Sequence, residues 1–283
     1  MKKRLTFGLA TLALTLGAAG LRLWQRRAAF ESETALVIPG HPATICLVAL
    51  LVLGGLALLA LSRWCVRDTE LTGYLKAFSL PHRGLMAVYL LAGALLVGMG
   101  AAGLLDVQGG LVERLSQRVF YICLIPGGLC MALVGWLNAQ RREAEGRFAW
   151  PLLGPGICGC VWLVAAYQSN TADPVVMDYA FALLGAVCAV CACYTMAAFS
   201  FEKPQGMWCL WLCAMGMALL ATMLVDTLGD GVAPLVSLGY GLYLTAQLFC
   251  LLTRCEIPAQ LEPWTAPEEK RSNDVKVEES EHE

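Results

Sequence analysis

Eight long runs of apolar residues most constrain what this chain can fold into. A run of about 18 or more apolar residues with few charges is typical of a membrane-spanning helix. Only 15% of the 283 residues are charged, whereas soluble domains average about 25%. The runs cover residues 5–24, 43–62, 85–105, 119–138, 151–167, 177–199, 207–228 and 232–252. We therefore predict an all-α integral membrane helical bundle with about eight transmembrane helices.

The distribution of basic residues predicts how the chain is oriented. If the N-terminus is inside, fifteen of the twenty Lys and Arg residues fall on the inner side. The cluster Arg22, Arg26 and Arg27 is the main exception. An excess of Lys and Arg marks cytoplasmic connections, so we expect both termini in the cytoplasm. The first run also has the three-part form of a signal peptide, and cleavage stays open as an alternative to a retained span.

Two short sequence matches suggest an internal repeat. FESETA at 30–35 resembles YQSNTA at 167–172, and LLDVQGG at 104–110 resembles LVDTLGD at 224–230. The members of the two matches are separated by different numbers of residues along the chain. That difference equals the difference in length between the inner connection 63–84 and its counterpart 202–206. One insertion reconciles both matches, which predicts two tandem parallel four-helix halves, 1–138 and 139–254. Residues 255–283 carry nine carboxylates and three basic residues, and we expect a disordered acidic cytoplasmic tail.

The insertion contains a candidate amphipathic helix. Leu71, Tyr74, Leu75 and Phe78 fall at helical spacing on one face, which is the pattern of a helix with one apolar side. Two interpretations stay open. The helix at 67–80 lies in the headgroup layer facing anionic lipid, or it packs beneath the bundle.

Motifs of catalysis and metal binding are not found. The sequence has no P-loop, GxSxG, HExxH or GxGxxG motif, so nothing favours an enzyme. The thirteen cysteines lie mostly within apolar runs and lack nearby His or carboxylate ligands. We interpret them as small packing residues and expect no metal, no cofactor and no nucleic-acid partner.

Ionisable residues near the outer ends of the spans are the main clue to a site. Charged groups inside a membrane are costly and indicate function by default. The candidate outer-mouth residues are Asp226, Asp106, Arg22, Arg26, Asp178 and Asp173. In one interpretation they line an outward vestibule for a polar solute or cation, with the arginines pairing with the aspartates. In the other, the aspartates cap turns and the arginines extend to the headgroups.

A proline in the fourth run is a second clue. Pro126 and Gly127 lie in its middle, and a proline in a span removes a backbone hydrogen bond. Broken helices often line transporter binding sites, but the counterpart region 245–248 has no proline. A helix break at Pro126 and Gly127 and a simple kink are both compatible with the sequence.

The segments LRLWQRRAAFESETALVIPGHPA at 21–43 and ADPVVMDYAFALL at 172–184 resemble uncharacterised multi-pass membrane proteins of anaerobic Gram-positive bacteria. The resemblance implies a bacterial plasma membrane and brings no activity or ligand.

Two functions from different classes fit this sequence. The first is a small-solute or ion permease, or the substrate-binding membrane subunit of one, whose partners are the lipid bilayer and a small solute or ion. The second is a non-transporting scaffold or sensor that binds a cytoplasmic protein through the 67–80 helix and the acidic tail.

Overall fold

The computed structural model describes residues 2–31, 36–67, 74–80, 82, 84–105, 111–140, 149–169, 176–201, 203–228 and 233–254. This part of the chain contains nine α-helices and a short 3-10 turn, Phe199–Phe201. The helices are α1 Lys2–Ala28, α2 Pro42–Val66, α3 Tyr74–Phe78, α4 Gly84–Leu105, α5 Leu111–Gln140, α6 Ala149–Ser169, α7 Val176–Ala198, α8 Gly206–Thr227 and α9 Pro234–Arg254.

Eight of these helices are long and apolar enough to cross a membrane, which confirms the all-α bundle predicted from the eight runs. The largest difference is at α5, which begins at Leu111 instead of residue 119. The apolar run marks only the part of a helix that suits a bilayer. Helical backbone continues beyond it because Glu, Arg and Gln are good helix formers.

Helices α4 to α9 form a ring of six. Each contacts the next along the chain, and α4 also packs against α9, which closes the ring. Helices α1 and α2 form a hairpin that packs on the outside of the ring against α8. Accordingly, 22% of the α1 span and 17% of the α2 span are buried, against 67% of both α8 and α9.

The two ends of the ring are named here by one residue each. The Asp226 end holds the last turns of α1, α4, α6 and α8 and the first turns of α2, α5, α7 and α9. The Tyr74 end holds the opposite turns and α3. Eight alternating spans place the first described residue and Arg254 at the same end, the Tyr74 end.

Close packing of α4 on α5 depends on two glycines. A Cβ atom at Gly93 would collide with the Gly128 carbonyl oxygen, and a Cβ at Gly128 would collide with the Gly93 carbonyl oxygen. Small residues let helix backbones approach in this way in membranes. The contact holds α5 against α4, and α5 carries Gln117 and Asn138.

Helix α3 packs beneath the bundle at the Tyr74 end. The described residues Tyr74, Ala77 and Phe78 are buried. Tyr74 stacks on Phe78, and Phe78 makes an edge contact with Phe199 at the end of α7, with ring centroids 5.2 Å apart. Of the two interpretations of this helix, the described residues support packing beneath the bundle. Leu71 lies outside the described residues.

The two predicted halves differ in surroundings. Helices α6 and α7 belong to the ring, whereas their proposed counterparts α1 and α2 lie outside it. Most of the YQSNTA and LLDVQGG matches falls outside the described residues. The division at residue 138 stays a prediction, as does the character of the tail, which also lies outside the described residues.

Candidate functional site

A cavity of 490 Å³ opens at the Asp226 end of the ring. All six ring helices contribute to its wall, and Arg26 of α1 completes it. We call this cavity the vestibule. Its volume lies in the range of about 300–1,000 Å³ that small-molecule sites occupy. The polar and aromatic residues of its wall are Arg26, Gln117, Phe120, Tyr121, Trp162, Ser169, Tyr179, Asp226 and Thr227.

The carboxylate of Asp226 is held by a buried arginine. Arg22 Nε donates to Asp226 Oδ1 at 2.7 Å, although the two residues are 204 positions apart in sequence. The Arg22 side chain is 0% exposed and that of Asp226 is 13% exposed. A buried charge costs several kcal/mol in lost hydration unless a partner of opposite sign is close. The pair therefore ties the α1–α2 hairpin to the ring.

Further groups surround the Arg22 guanidinium. Its Nη1 donates to Gln25 Oε1 at 2.7 Å, and Gln25 Nε2 donates to Thr44 Oγ1 on α2 at 2.9 Å. The ring of Phe181 on α7 lies 4.8 Å from the guanidinium carbon. Aromatic faces attract cations at this distance. Arg22 is thus shared among α1, α7 and α8, and it does not extend to the headgroups.

Arg26 lies one helical turn after Arg22 and differs from it in exposure. Its side chain is 46% exposed and lines the vestibule. Arg26 Nη1 donates to the main-chain carbonyl of Asp226 and lies 3.7 Å from Asp226 Oδ1. The last carbonyls of a helix lack internal donors, and a cation near them is favourable. Arg26 therefore caps α8 while part of its guanidinium faces the cavity.

A stacked aromatic pair lies at the wall of the vestibule. Trp162 of α6 stacks on Tyr240 of α9 with centroids 5.4 Å apart. Tyr240 donates a hydrogen bond to the Pro155 carbonyl at 2.7 Å. Tyr240 is fully buried and lies one helical turn below Val236, which lines the cavity. Trp162, which lines the vestibule, is therefore backed by the buried ring of Tyr240.

The structure brings together three of the six predicted outer-mouth residues, namely Arg22, Arg26 and Asp226. Asp106 and Asp173 lie outside the described residues. Asp178 lies in the first turn of α7, where only the backbone is described. The predicted pairing of the first-span arginines with an outer aspartate is therefore seen for Asp226, and the roles assigned to the other three aspartates stay predictions.

Pro126 and Gly127 lie within a continuous helix. Helix α5 runs from Leu111 to Gln140 through both residues, so the described backbone shows no break there. Pro126 is exposed on the bundle surface. A Cβ at Gly127 would approach Cys158 of α6 to 2.8 Å, so this glycine serves the contact between α5 and α6.

The described cysteines are free thiols, and half of them are buried in the bundle. Within the described ranges, no three His, Cys, Asp or Glu side chains are placed to hold a metal ion. Buried thiols such as Cys193 and Cys213 pack with the other apolar residues of the ring.

Sequence reasoning missed a second polar group, at the Tyr74 end. Asn138 of α5 and Gln247 of α9 are fully buried there, next to Tyr74 and Tyr243. A signal was present, because Gln247 interrupts the apolar stretch LYLTAQLFCLL. A polar residue in a span usually faces the bundle interior.

Comparison with known proteins does not extend this description. No protein-family model matches the chain, and neither a curated protein nor a solved structure shows significant similarity to it.

Proposed function

We propose that this multi-pass membrane protein is a small-solute permease of a bacterial plasma membrane, or the substrate-binding membrane subunit of one. In this proposal the vestibule is the outward-facing solute site, and both termini are cytoplasmic. The observation that carries the proposal is the 490 Å³ cavity on the ring axis. A cavity with apolar walls and a few convergent polar groups is the usual form of a small-molecule site.

The wall of the vestibule suggests the chemistry of the solute. Phe120, Trp162 and Tyr179 offer flat apolar surface. Arg26 offers a half-exposed guanidinium, which has five donors in a planar fork that suits carboxylates. A small solute with a carboxylate or another acceptor group and an apolar body fits this wall best. Asp226 is engaged by Arg22, so in our proposal it orients Arg26 and the mouth of the site.

The test is binding followed by transport. We would screen matched pairs of carboxylates and amides of the same size by thermal shift on the detergent-purified protein. A ligand at 100 times its Kd stabilises the folded state by about 2.7 kcal/mol. Arg26→Gln should abolish the response to a bound carboxylate. Arg27→Gln is the matched control, because Arg27 is exposed and adjacent in sequence but is not part of the vestibule wall.

Two results would contradict the solute site. One is the same ligand response in Arg26→Gln as in Arg27→Gln, and the other is no response to any member of the panel. If a ligand is found, uptake into proteoliposomes distinguishes a permease from a binding subunit, since a binding subunit alone shows no flux.

For the alternative function, a scaffold or sensor, α3 is the relevant element that the structure describes. The buried face of α3 packs against α9 and the 3-10 turn, so Tyr74 and Phe78 are occupied within this chain. The vestibule therefore supports the permease better than α3 supports the scaffold. Deletion of 256–283 tests the alternative directly, because a scaffold acting through the tail would lose its cytoplasmic partner in a pull-down.

A further inference from the structure

Four neutral polar side chains meet inside the Tyr74 end of the ring. Asn138, Gln247 and Tyr243 are 0% exposed, and Tyr74 is 6% exposed. Gln247 lies one helical turn after Tyr243 on α9. Burial raises the pKa of the Tyr74 hydroxyl, and the adjacent Asn138 and Gln247 side chains oppose part of that rise. The four side chains therefore form one cluster, built from α3, α5 and α9.

The polar atoms of this cluster lie close to one another, Tyr74 beside Asn138 and Gln247, and Tyr243 beside Gln247, but none of them has a protein partner at hydrogen-bond geometry. The Tyr74 and Tyr243 hydroxyls and both amide atoms of Asn138 and Gln247 are buried without a partner at hydrogen-bond geometry. More than nine in ten buried polar groups in native proteins have a partner. Contacts among the four side chains can engage at most one of the two amide atoms of Asn138, because only Tyr74 lies beside it. A group outside these side chains is therefore needed to complete the hydrogen bonds of the cluster.

The surroundings define the chemistry of the occupant. The two carboxylates whose side chains the structure describes, Glu31 and Asp226, lie at the opposite end of the ring. Arg254 lies at the Tyr74 end and donates to Ser79 Oγ. A cation would have no described counter-charge here and would face that guanidinium. The two amides and two hydroxyls both donate and accept, which favours an uncharged occupant with the same double capacity.

We propose that Tyr74, Asn138, Tyr243 and Gln247 form an internal binding site for an uncharged group that donates and accepts hydrogen bonds, such as a hydroxyl or a carboxamide. Two sources can provide this group, namely ordered water and a neutral part of a solute. Helix α3 contributes Tyr74, its first residue, to the site. That this site lies on a solute path rests on the proposed function, whereas its existence does not.

The protein contains a matched control for this site. Gln25 and Gln247 are both fully buried glutamines. Gln25 is hydrogen-bonded to Arg22 and Thr44, whereas neither amide atom of Gln247 has a protein partner at hydrogen-bond geometry. Methionine has similar volume and adapts to its surroundings. Replacing a glutamine by methionine therefore removes the polar atoms with little change in packing.

The experiment compares the Tm of Gln25→Met, Gln247→Met and wild type in detergent, with and without acetamide. Removing a satisfied buried amide destabilises, whereas removing an unsatisfied one is neutral or stabilising. We expect Gln247→Met to lower Tm by about 2–4 °C, in the same direction as Gln25→Met. A Tm of Gln247→Met at or above wild type in both conditions would overturn the site.

The acetamide arm separates the two sources. If Gln247→Met has the same lower Tm with and without acetamide, and acetamide leaves the Tm of wild type unchanged, the result supports ordered water as the occupant. If acetamide raises the Tm of wild type but not of Gln247→Met, the site also takes a carboxamide. If Gln247→Met does not fold, Tyr243→Phe replaces it, because it removes one hydroxyl and keeps the ring contact with Tyr89. An unchanged or raised Tm in Tyr243→Phe would then overturn the proposal. None of these outcomes depends on the vestibule, which Arg26→Gln tests separately.

Discussion

The two ends of the six-helix ring treat buried polar groups in different ways. At the Asp226 end the groups are charged, and the protein itself supplies their partners. Arg22 reaches Asp226 at 2.7 Å and Gln25 at 2.7 Å. At the Tyr74 end a cluster of four neutral side chains is buried, and six of their atoms have no protein partner at hydrogen-bond geometry. The protein thus supplies the partners of the buried Arg22 guanidinium itself, whereas the neutral cluster needs a further group.

The difference follows from the cost of burial. An unpaired charge in a low-dielectric interior costs far more than an unpaired amide or hydroxyl. A chain can therefore leave neutral groups for an occupant that comes and goes, but it must neutralise a permanent guanidinium within the fold. The comparison predicts that disrupting the Asp226 end affects stability most, and that disrupting the Tyr74 end affects occupancy and closure.

The largest effect is expected from breaking the Arg22–Asp226 pair on one side. Asp226→Leu leaves a fully buried guanidinium beside Gln25 and Phe181 without its carboxylate. Removing one partner of a buried pair costs about 3–5 kcal/mol. We expect a correspondingly large fall in Tm of the detergent-purified protein.

The double variant Arg22→Met, Asp226→Leu is the control for this change. It removes both charges, so most of the lost stability should return. If the double variant is as unstable as Asp226→Leu alone, the pair does not link the hairpin to the ring by charge, and packing of these side chains explains the loss.

Much of the fold could be predicted from the sequence because a membrane span can be identified from its local amino-acid composition. Seven of the eight spans begin within three residues of their predicted starts. The exception is α5, where helix continues through Glu113 and Arg114 before the apolar run begins. Hydropathy shows which residues suit the interior of a bilayer, whereas a helix can continue into residues that do not.

The neighbours of each helix could not be predicted in the same way. Nothing local in α1 indicates that it packs against α8, or that α4 packs against α9 to close the ring. These contacts depend on side chains far apart in sequence, such as Arg22 and Asp226. Opposite charge at the same membrane depth suggested that pairing, but charge alone gave no way to choose among Asp106, Asp173, Asp178 and Asp226.

The Tyr74 end escaped prediction because its residues are neutral. Asn138 stands at the end of an apolar run and Gln247 within one. A search for ionisable groups therefore passes over both. Both lie beside Tyr74 of α3, a five-residue helix that packs through the Tyr74–Phe78 and Phe78–Phe199 contacts.

An intermediate effect is expected from removing the Tyr74 ring. Tyr74→Ala deletes the stack on Phe78 and the buried hydroxyl together, and truncating a large buried side chain costs about 2–5 kcal/mol. Because α3 is short and lies at one end of the ring, we expect the lost stability to appear as local opening of α3. Trypsin should then cleave after Lys76 in Tyr74→Ala faster than in wild type.

Tyr74→Phe separates closure from binding at this end. The variant keeps the ring that stacks on Phe78 and loses only the hydroxyl. Protection of Lys76 from trypsin should stay at the wild-type level if the stack holds α3 in place. Rapid cleavage in Tyr74→Phe would show instead that the hydroxyl, through the polar cluster, is what keeps α3 docked.

The smallest effect is expected at Thr44, the last member of the hydrogen-bonded network Asp226–Arg22–Gln25–Thr44. Thr44→Val removes the acceptor that Gln25 Nε2 uses at 2.9 Å while keeping a side chain of similar shape. A typical hydrogen bond contributes about 0.5–1.5 kcal/mol, so Tm should fall by a few degrees. Thr245→Val is the matched control, because the Thr245 hydroxyl is exposed and bonds only to Gly241 of its own helix. If the two variants lose equal stability, the network ends at Gln25 and the α2 side of the hairpin is held by apolar packing alone. If Thr44→Val loses more, the charge on Arg22 organises polar contacts across three helices, which the neutral cluster at the Tyr74 end cannot do without an occupant.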